Sequence, residues 1–232
     1  MTEAVKLSPA TLSAIDVFSN LSLSDYESLS RIVKTHIYQT DEQLITLGDQ
    51  TRDVFFIISG KVRITTFTAK GKEVTFQDMP AGKMFGELSA IDGQERSTNV
   101  VALSESTIAS VSPSAFFQIL QDYPKVNERL LQQLSGLIRK LSDRIIEFSA
   151  LSVKDRVHAE ILRLAKNNLL GNNTAEITPA PTHLDIANRI STHREAVSRE
   201  ISELNKSGIL KKATGKLIVQ DVAKLEEMLE ES

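Results

Sequence analysis

The pattern of hydrophobic and polar positions changes its period several times along the chain. Between about Leu12 and Arg31, apolar residues recur at helical spacing, which predicts short helices. From about His36 to Val111, short runs rich in β-branched and aromatic residues, such as 54–58 and 62–67, are separated by Gly, Pro and Asp. Many short strands at this spacing predict an antiparallel barrel or sandwich.

A long helix is predicted after the strands. Ser112 and Pro113 form an N-cap and first-turn pattern that opens a short helix, and the long helix covers about 125–149. Its apolar residues follow spacings of three and four: Leu130, Leu134, Leu137, Leu141, Ile145 and Phe148, with Leu131 and Ile138 as a second stripe. One amphipathic helix packed on its own barrel would use one stripe. Two stripes favour a helix that also meets a second copy of the chain, so we predict a homodimer.

The remaining residues predict a second, helical domain. The small polar segment 149–152 is a candidate hinge, which places the domains at 1–150 and 151–232. Thr182 can cap one helix, and the run Thr192-His193-Arg194-Glu195 matches a capping box that would open another. A Thr214-Gly215 turn between apolar runs predicts a hairpin. Two short helices and a hairpin indicate a winged helix-turn-helix.

Composition excludes several kinds of site. The 232 residues contain no cysteine, so disulfides, thiolate nucleophiles and Cys-ligated metal clusters are excluded. The four histidines show no metal-ligand spacing, and we predict no metal. No apolar run is long enough to span a membrane, and the N-terminus lacks a signal-peptide pattern, so we expect a cytoplasmic protein. The carboxylates are scattered without a nucleophile or paired base, which indicates a protein that is not an enzyme.

The charge is distributed unevenly. The formal net charge is −3, which does not by itself indicate a nucleic-acid-binding protein. Residues 183–216, however, contain seven Arg and Lys residues against four Asp and Glu residues, and the tail that follows is acidic. A basic region therefore coincides with the predicted helix-turn-helix.

One segment of the strand-rich region carries chemistry suited to a phosphodiester. It consists of Gly86, Glu87 and Leu88 followed by Arg96, Ser97 and Thr98 (the cradle). A carboxylate can accept from a sugar hydroxyl, a guanidinium can pair with a phosphate, and glycine lets backbone N–H groups approach closely. The cradle therefore predicts a site for a small nucleotide with one negative charge.

The predicted second helix of the helix-turn-helix carries candidate base-reading residues. Glu195 and Arg199 lie four residues apart on one face, away from the apolar stripe of Val197, and Arg194 lies in the first turn. Arginine can donate bidentately to guanine, and glutamate can accept from cytosine. A solvated charged face, with Glu195 only capping the helix, is the alternative interpretation.

These two motifs, in this order and joined by a long helix, resemble the Crp/Fnr family of bacterial transcription regulators over nearly the whole chain. The run from Gly86 to Ser97 is similar to that family's cyclic-nucleotide cassette, and 193–199 resembles its recognition helix. The resemblance implies an α+β protein: an N-terminal antiparallel, jelly-roll-like β-roll, a long dimerisation helix and a C-terminal winged helix-turn-helix.

The resemblance also implies roles for single residues. Glu87 would accept from the ribose 2′-hydroxyl, and Arg96 and Ser97, with backbone N–H groups near Gly86 and Leu88, would bind the cyclic phosphate. Arg194, Glu195 and Arg199 would read a TGTGA-like half-site of a palindrome. The other residues expected at the DNA are Thr192, His193, Ser198, Lys212 and Lys216. The implied partners are double-stranded DNA and RNA polymerase.

The chain departs from cAMP-binding members of that family at the base. Their long helix carries a Thr-Ser pair that approaches the adenine, and the corresponding residues here are Leu141 and Ser142. Leucine cannot hydrogen-bond a base, although Ser142 can. We therefore expect cAMP as the ligand and keep cGMP, another small molecule, or ligand-independent activity as alternatives.

Overall fold

The structure, a computed structural model, describes residues 7–230. It is an α+β fold divided into two compact units. The first comprises the chain up to Phe67 together with Thr75–Leu137, and the second comprises Thr68–Val74 and the chain from Ile138 onward. Within the described range, no helix combines the length and the apolar character needed to cross a bilayer.

The first unit contains the predicted short helices and strands. Its helices are α1 (Pro9–Ser13), a 3-10 helix (Asp16–Phe18), α2 (Leu23–Ser30), α3 (Glu87–Asp92), α4 (Pro113–Asp122) and the first part of α5 (Pro124–Ala150). Its strands are β1 (Lys34–Tyr38), β2 (Gln43–Ile45), β3 (Val54–Ser59), β4 (Lys61–Phe67), β5 (Glu73–Pro80), β6 (Met84–Phe85), β7 (Asn99–Ala102) and β8 (Ser106–Val111).

The strands form two four-stranded sheets, in the orders β1-β8-β3-β6 and β2-β7-β4-β5. Pairs such as β1 with β8 and β4 with β7 are antiparallel, and this confirms the predicted antiparallel β-roll. One core is built where the helices cover the first sheet. Phe18 and Phe56 pack there with ring centroids 4.8 Å apart, and Val126 and Leu130 attach the start of α5 to the same core. The cradle is therefore part of a β-roll with a packed core.

The α5 helix spans 27 residues and begins and ends within one residue of the predicted bounds. Leu130 is buried against the roll, whereas the following apolar residues are exposed. The exposed set includes Leu131, Ile138, Leu141, Ile145, Ile146 and Phe148. The start of α5 therefore packs within its own unit, whereas apolar residues of both predicted stripes face solvent along the rest of the helix.

The second unit contains the predicted winged helix-turn-helix. Its elements after α5 are α6 (Val153–Lys166), β9 (Leu169–Gly171), β10 (Thr174–Ile177), α7 (His183–Arg189), α8 (Arg194–Lys206), β11 (Leu210–Ala213), β12 (Lys216–Val219) and α9 (Val222–Glu230). The four strands pair in the order β11-β12-β10-β9. The sequence predicted the β11–β12 hairpin but only a turn at 171–174, because β9 and β10 are too short to show an alternating pattern.

The predicted capping box at Thr192 is wrong, whereas the cap at Thr182 is confirmed. The Thr182 hydroxyl accepts from Asp185 N at 3.0 Å, and the Asp185 carboxylate accepts from Thr182 N. The α8 helix instead takes His193 as its N-cap, with no side-chain capping bond. Thr192 is buried, and its backbone N–H donates to Ala187 O at 3.0 Å, which closes the end of α7. Thr192 therefore belongs to the turn after α7, and α8 begins two residues later, at Arg194.

The boundary between the two compact units lies inside α5. The predicted boundary at 150/151 coincides with the end of α5 at Ala150, but the packing units divide α5 between Leu137 and Ile138. Segment 68–74, which consists of the turn after β4 and the first two residues of β5, also belongs to the second unit, where Asn188 Nδ2 of α7 donates to Glu73 Oε2 at 3.0 Å. The last turns of α5 therefore pack as part of the helical domain.

Candidate nucleotide cradle and DNA-binding surface

Gly86 forms the turn of the cradle between β6 and α3. It follows β6, precedes α3 and has φ +81°, in the left-handed region that glycine adopts without steric cost. A Cβ at this position would lie 3.0 Å from Arg96 Nη1, 3.1 Å from Asp53 O and 3.1 Å from the Phe55 ring. Both the backbone angle and the close approach of Arg96 therefore require glycine here.

The Arg96 guanidinium is buried inside the roll, with 2% of the residue exposed. Its Nη1 donates to Gly86 O at 2.8 Å, its Nη2 to Asp53 O at 2.8 Å and its Nε to Thr51 Oγ1 at 3.1 Å. It also lies 5.5 Å from the Phe55 ring centroid. Three of its five N–H groups thus bridge the 51–53 loop to the cradle, so this side chain supports the local backbone as well as carrying charge.

Glu87 lies at the first position of α3 and is half-buried. Burial raises the pKa of its carboxyl, against the opposing effects of a backbone hydrogen bond and the nearby Arg96 charge. The Arg96 guanidinium and the Glu87 carboxyl are therefore close enough for the charge of each to act on the other. Ser97 and Leu88 are exposed beside them, and Thr98 is partly buried.

Sequence reasoning missed the loop that completes the cradle. Gly48 N donates to Arg96 O and Arg96 N donates to Asp49 O, both at 2.9 Å, so the 48–53 loop runs alongside the cassette. Thr51 and Asp53 then supply acceptors for the Arg96 side chain. The Gly48-Asp49 turn was visible in the sequence, but nothing local indicated that it would pair with a residue nearly fifty positions away.

The two residues expected near the base lie on α5 in the second unit. Leu141 is 46% exposed, and Ser142 is exposed with its hydroxyl donating to Ile138 O at 3.0 Å. The hydrogen-bond donor of the Ser142 hydroxyl is therefore used within its own helix.

The α8 helix presents the predicted base-reading residues on its exposed side. Val197, Ile201 and Leu204 are buried in the core of the second unit. Arg194, Glu195, Arg199 and His193 are exposed, and Ser198 is half-buried. The structure thus brings the two arginines and the glutamate to one solvent-facing surface.

A cationic group lies beside the start of α8. Burial, followed by the charges of Lys212 and Arg194, lowers the pKa of His183 at the first position of α7. His183 is not among the DNA-binding residues that the sequence predicted. Lys212 of β11 is exposed, whereas Lys216 Nζ pairs with Glu176 Oε1 at 2.7 Å. Lys212 is therefore better placed than Lys216 to meet a phosphate.

Among the residues that the structure describes, no group of His, Cys, Asp or Glu is arranged to ligate a metal ion.

Comparison with known proteins identifies both regions. The profile of the cyclic nucleotide-binding domain matches residues 35–123, and that of the Crp-like helix-turn-helix domain matches residues 155–228. The chain is 26% identical over 212 residues to the cyclic AMP receptor protein of Thermus thermophilus, a match that covers 91% of this chain and 95% of that protein.

Solved structures share the fold. A CooA mutant from Carboxydothermus hydrogenoformans aligns with a TM-score of 0.80 and 20% identity, covering 98% of each chain. A c-di-GMP-responsive global regulator from Xanthomonas campestris aligns with a TM-score of 0.73 and 18% identity, covering 85% of this chain and 99% of that one. The same fold therefore occurs in a regulator that responds to a different nucleotide, c-di-GMP.

Proposed function

Because the chain belongs to the Crp/Fnr family of DNA-binding regulators, with a cyclic nucleotide-binding domain, we propose that cAMP controls its binding to a palindromic, TGTGA-like operator as a homodimer. The observation that carries this proposal is the cradle: Glu87, Arg96 and the glycine that lets them approach lie together on the β-roll. A cytoplasmic location and RNA polymerase as a further partner belong to the same proposal.

The contacts of Arg96 explain how a nucleotide would act. Because only 2% of Arg96 is exposed, a phosphate reaches the guanidinium only if the groups that cover it move or exchange some of the bonds to Gly86 O, Asp53 O and Thr51 Oγ1. Binding is therefore coupled to rearrangement of the 51–53 loop and the cassette. A ligand shifts a conformational equilibrium only by the difference in its affinity for the two states, and this exchange provides such a difference.

The exposed residues of α5 support the homodimer. Leu131, Leu134, Ile138, Leu141, Ile145 and Phe148 alternate at spacings of three and four, and all except the partly buried Leu134 are exposed. This is the a/d pattern of a two-stranded coiled coil. A two-fold dimer would present two α8 helices to half-sites about one helical turn apart.

One observation favours a different ligand on the same architecture. Leu141 offers no hydrogen bond to a base, and the Ser142 hydroxyl already donates to Ile138 O. The cradle selects a cyclic phosphate on a ribose, whereas these residues do not select adenine. cGMP is therefore the second candidate, followed by a different small molecule or ligand-independent binding.

The decisive experiment is fluorescence anisotropy on a labelled TGTGA palindrome with cAMP, with cGMP and without nucleotide. We expect cAMP to raise the affinity by about tenfold or more. Glu87→Gln should remove most of this response, because the amide no longer offers a charged acceptor to the ribose. Equal affinity under all three conditions would exclude both nucleotides as effectors, and a response to cGMP alone would overturn the choice of base.

A further inference from the structure

An ionic cluster joins the end of α5 to the helix-turn-helix within the second unit. It consists of Arg144 and Glu147 of α5, Glu160 and Arg163 of α6, and Arg189 of α7 (the arginine cluster). Arg144 Nη1 lies 2.8 Å from Glu147 Oε2, and Arg163 Nη2 lies 2.6 Å from Glu147 Oε1. Three helices therefore meet through charged side chains.

Glu160 is the buried centre of the arginine cluster, with 2% of its side chain exposed. Arg163 Nη1 pairs with Glu160 Oε2, and Arg144 Nη2 lies 3.4 Å from the same oxygen. Arg189 Nε lies 3.8 Å from Glu160 Oε1. A buried carboxylate is tolerated when several cations surround it, and removal of one of them leaves charge uncompensated.

The charged form of Glu147, the second carboxylate, is stabilised by its neighbours. Burial acts to raise the pKa of Glu147, but the hydrogen bonds and charges of Arg144 and Arg163 outweigh it and hold the pKa below its ordinary value. Glu147 is therefore a permanent partner of both arginines near neutral pH.

Arg144 makes one contact that differs from the ion pairs. Its Nη2 donates to the backbone carbonyl of Arg189 at 3.0 Å. Arg189 is the last residue of α7, and the final carbonyls of a helix lack partners within the helix. A cationic donor is favoured at this end. Arg144 thus caps α7 from a different helix.

That carbonyl lies directly before the turn into α8. Ile190 is the C-cap of α7, Ser191 has φ +53°, and α8 begins at Arg194. Few bonds separate the Arg144 contact from the exposed Arg194 and Glu195. The orientation of the first turn of α8 therefore depends on where α7 ends.

Packing fixes the Arg144 side chain itself. Its guanidinium lies 5.6 Å from the Phe148 ring centroid, and the Arg156 guanidinium lies 5.4 Å from the same centroid. A planar guanidinium donates from separate nitrogens in a fixed fork, so Arg144 bonds Glu147 through Nη1 and the Arg189 carbonyl through Nη2 while it lies over the ring, whereas a lysine ammonium donates from a single nitrogen.

We propose that Arg144 is a positioning residue, which fixes the helix-turn-helix to the last turns of α5 and so makes the presentation of Arg194, Glu195 and Arg199 follow the state of that helix. This inference rests on the proposed function for its DNA and nucleotide readouts, although its structural part does not. Arg144 touches neither partner and acts through the end of α7.

The test compares Arg144→Met with Arg139→Met, an exposed arginine on the same helix outside the arginine cluster. The first readout is the ratio of affinities for the TGTGA palindrome with and without saturating cAMP, with saturation verified by calorimetry. Arg144→Met should lower this ratio by roughly twofold to thirtyfold. The ratio should fall whether α5 without nucleotide favours the DNA-binding or the non-binding arrangement, because the variant weakens the coupling itself. Binding to a random duplex should be the same for the two variants, because non-specific binding is set mainly by charge and each variant removes one positive charge. A ratio equal to that of Arg139→Met would overturn the proposal.

Amide hydrogen exchange of residues 191–196, without DNA or nucleotide, gives a second readout. Arg144→Met should accelerate exchange there and leave exchange in the α6 core unchanged, whereas Arg139→Met should affect neither. Exchange at the wild-type rate would overturn the proposal even if no nucleotide had any effect. A wild-type protein that ignores every nucleotide but shows accelerated exchange in Arg144→Met would contradict the proposed effector and support the positioning role.

Arg144→Lys separates charge from geometry. It keeps the cation but cannot bridge Glu147 and Arg189 O, so both readouts should fall between those of the wild type and Arg144→Met. Wild-type behaviour of Arg144→Lys would assign the effect to charge alone and overturn the bridging role.

Discussion

Arg96 holds the backbone of the cradle in place as well as carrying charge. Arg96 attracts attention in the sequence because of its charge, yet its guanidinium bonds two backbone carbonyls and a hydroxyl inside the roll. Truncation to alanine would leave those buried acceptors without donors and would disturb the cradle itself. Glu87→Gln is the cleaner test, since Glu87 is half-buried and its substitution keeps the shape of the side chain.

Gly86 and Gly71 form a matched pair. Both have positive φ, at +81° and +75°, but a Cβ at Gly71 would meet nothing within 4 Å, whereas one at Gly86 would crowd Arg96 and Asp53. Each substitution by alanine should cost about 1–2 kcal/mol for the backbone conformation. Gly86→Ala should cost about 1–3 kcal/mol more for crowding.

Urea unfolding of the two glycine variants measures this difference. Equal losses would show that the neighbours of Gly86 yield without cost.

His158 makes the stability of the second unit depend on pH. Burial lowers the pKa of this residue below its ordinary 6.5. The charge of Lys154 acts in the same direction, whereas Glu200 and Asp155 oppose it. The unfolded chain therefore binds this proton more readily than the folded chain. The contribution of neutral His158 to the unfolding free energy is fully present above pH 6.5 and is lost as the pH falls below it.

His158→Gln should therefore lose less unfolding free energy than the wild type between about pH 7.5 and about pH 5.5, the range in which histidine titrates. Urea unfolding at each pH measures this, and the difference between the two proteins cancels the titration of the shared carboxylates. Parallel pH profiles would contradict the assignment.

Among the elements, the two helices of the helix-turn-helix begin in different ways. Thr182 caps α7 with its hydroxyl, whereas His193 precedes α8 without a side-chain bond. Thr182→Ala should lower the unfolding free energy by about 1 kcal/mol. His193→Ala should change it by much less, and His193→Asn should raise it, because asparagine supplies the missing cap.

Thermal unfolding in the absence of DNA compares these variants. A loss for His193→Ala as large as that for Thr182→Ala would show that His193 contributes a capping interaction after all.

The elements also show where sequence patterns suffice. Long periodic stretches such as α5, and caps such as Ser112 and Thr182, were located from local sequence because the physics that forms them is local. The start of α8 was misplaced because the local sequence allows Thr192 either to cap α8 or to close α7. In the structure Thr192 closes α7. The β9–β10 pair was missed because its stability comes from pairing with β12.

At the scale of the whole molecule, the exposed apolar face of α5 predicts the assembly. Ile138 and Ile145 are 63% and 66% exposed in the single chain. Ile138→Glu with Ile145→Glu should convert a dimer into a monomer and weaken binding to a palindrome, since each subunit would then bind one half-site alone. Lys140→Glu, on a different face of the same helix, is the control and should remain dimeric.

Sedimentation velocity gives the mass, and anisotropy on full and half palindromes gives the loss of affinity. A double variant that stays dimeric would exclude α5 as the seam.

The sequence by itself determined the succession of strand-rich region, long helix and helix-turn-helix, the family and the positions of the charged residues. These follow from hydrophobic period, glycine and cap positions, and short motifs such as Gly86-Glu87-Leu88, all of which are read locally. Only the tertiary structure decided that Arg96 is buried on the 51–53 loop, that Lys216 is paired with Glu176, and that Arg144 caps α7. Each of these contacts joins residues far apart in the chain, and their geometry is set by the packing of whole elements rather than by any local preference.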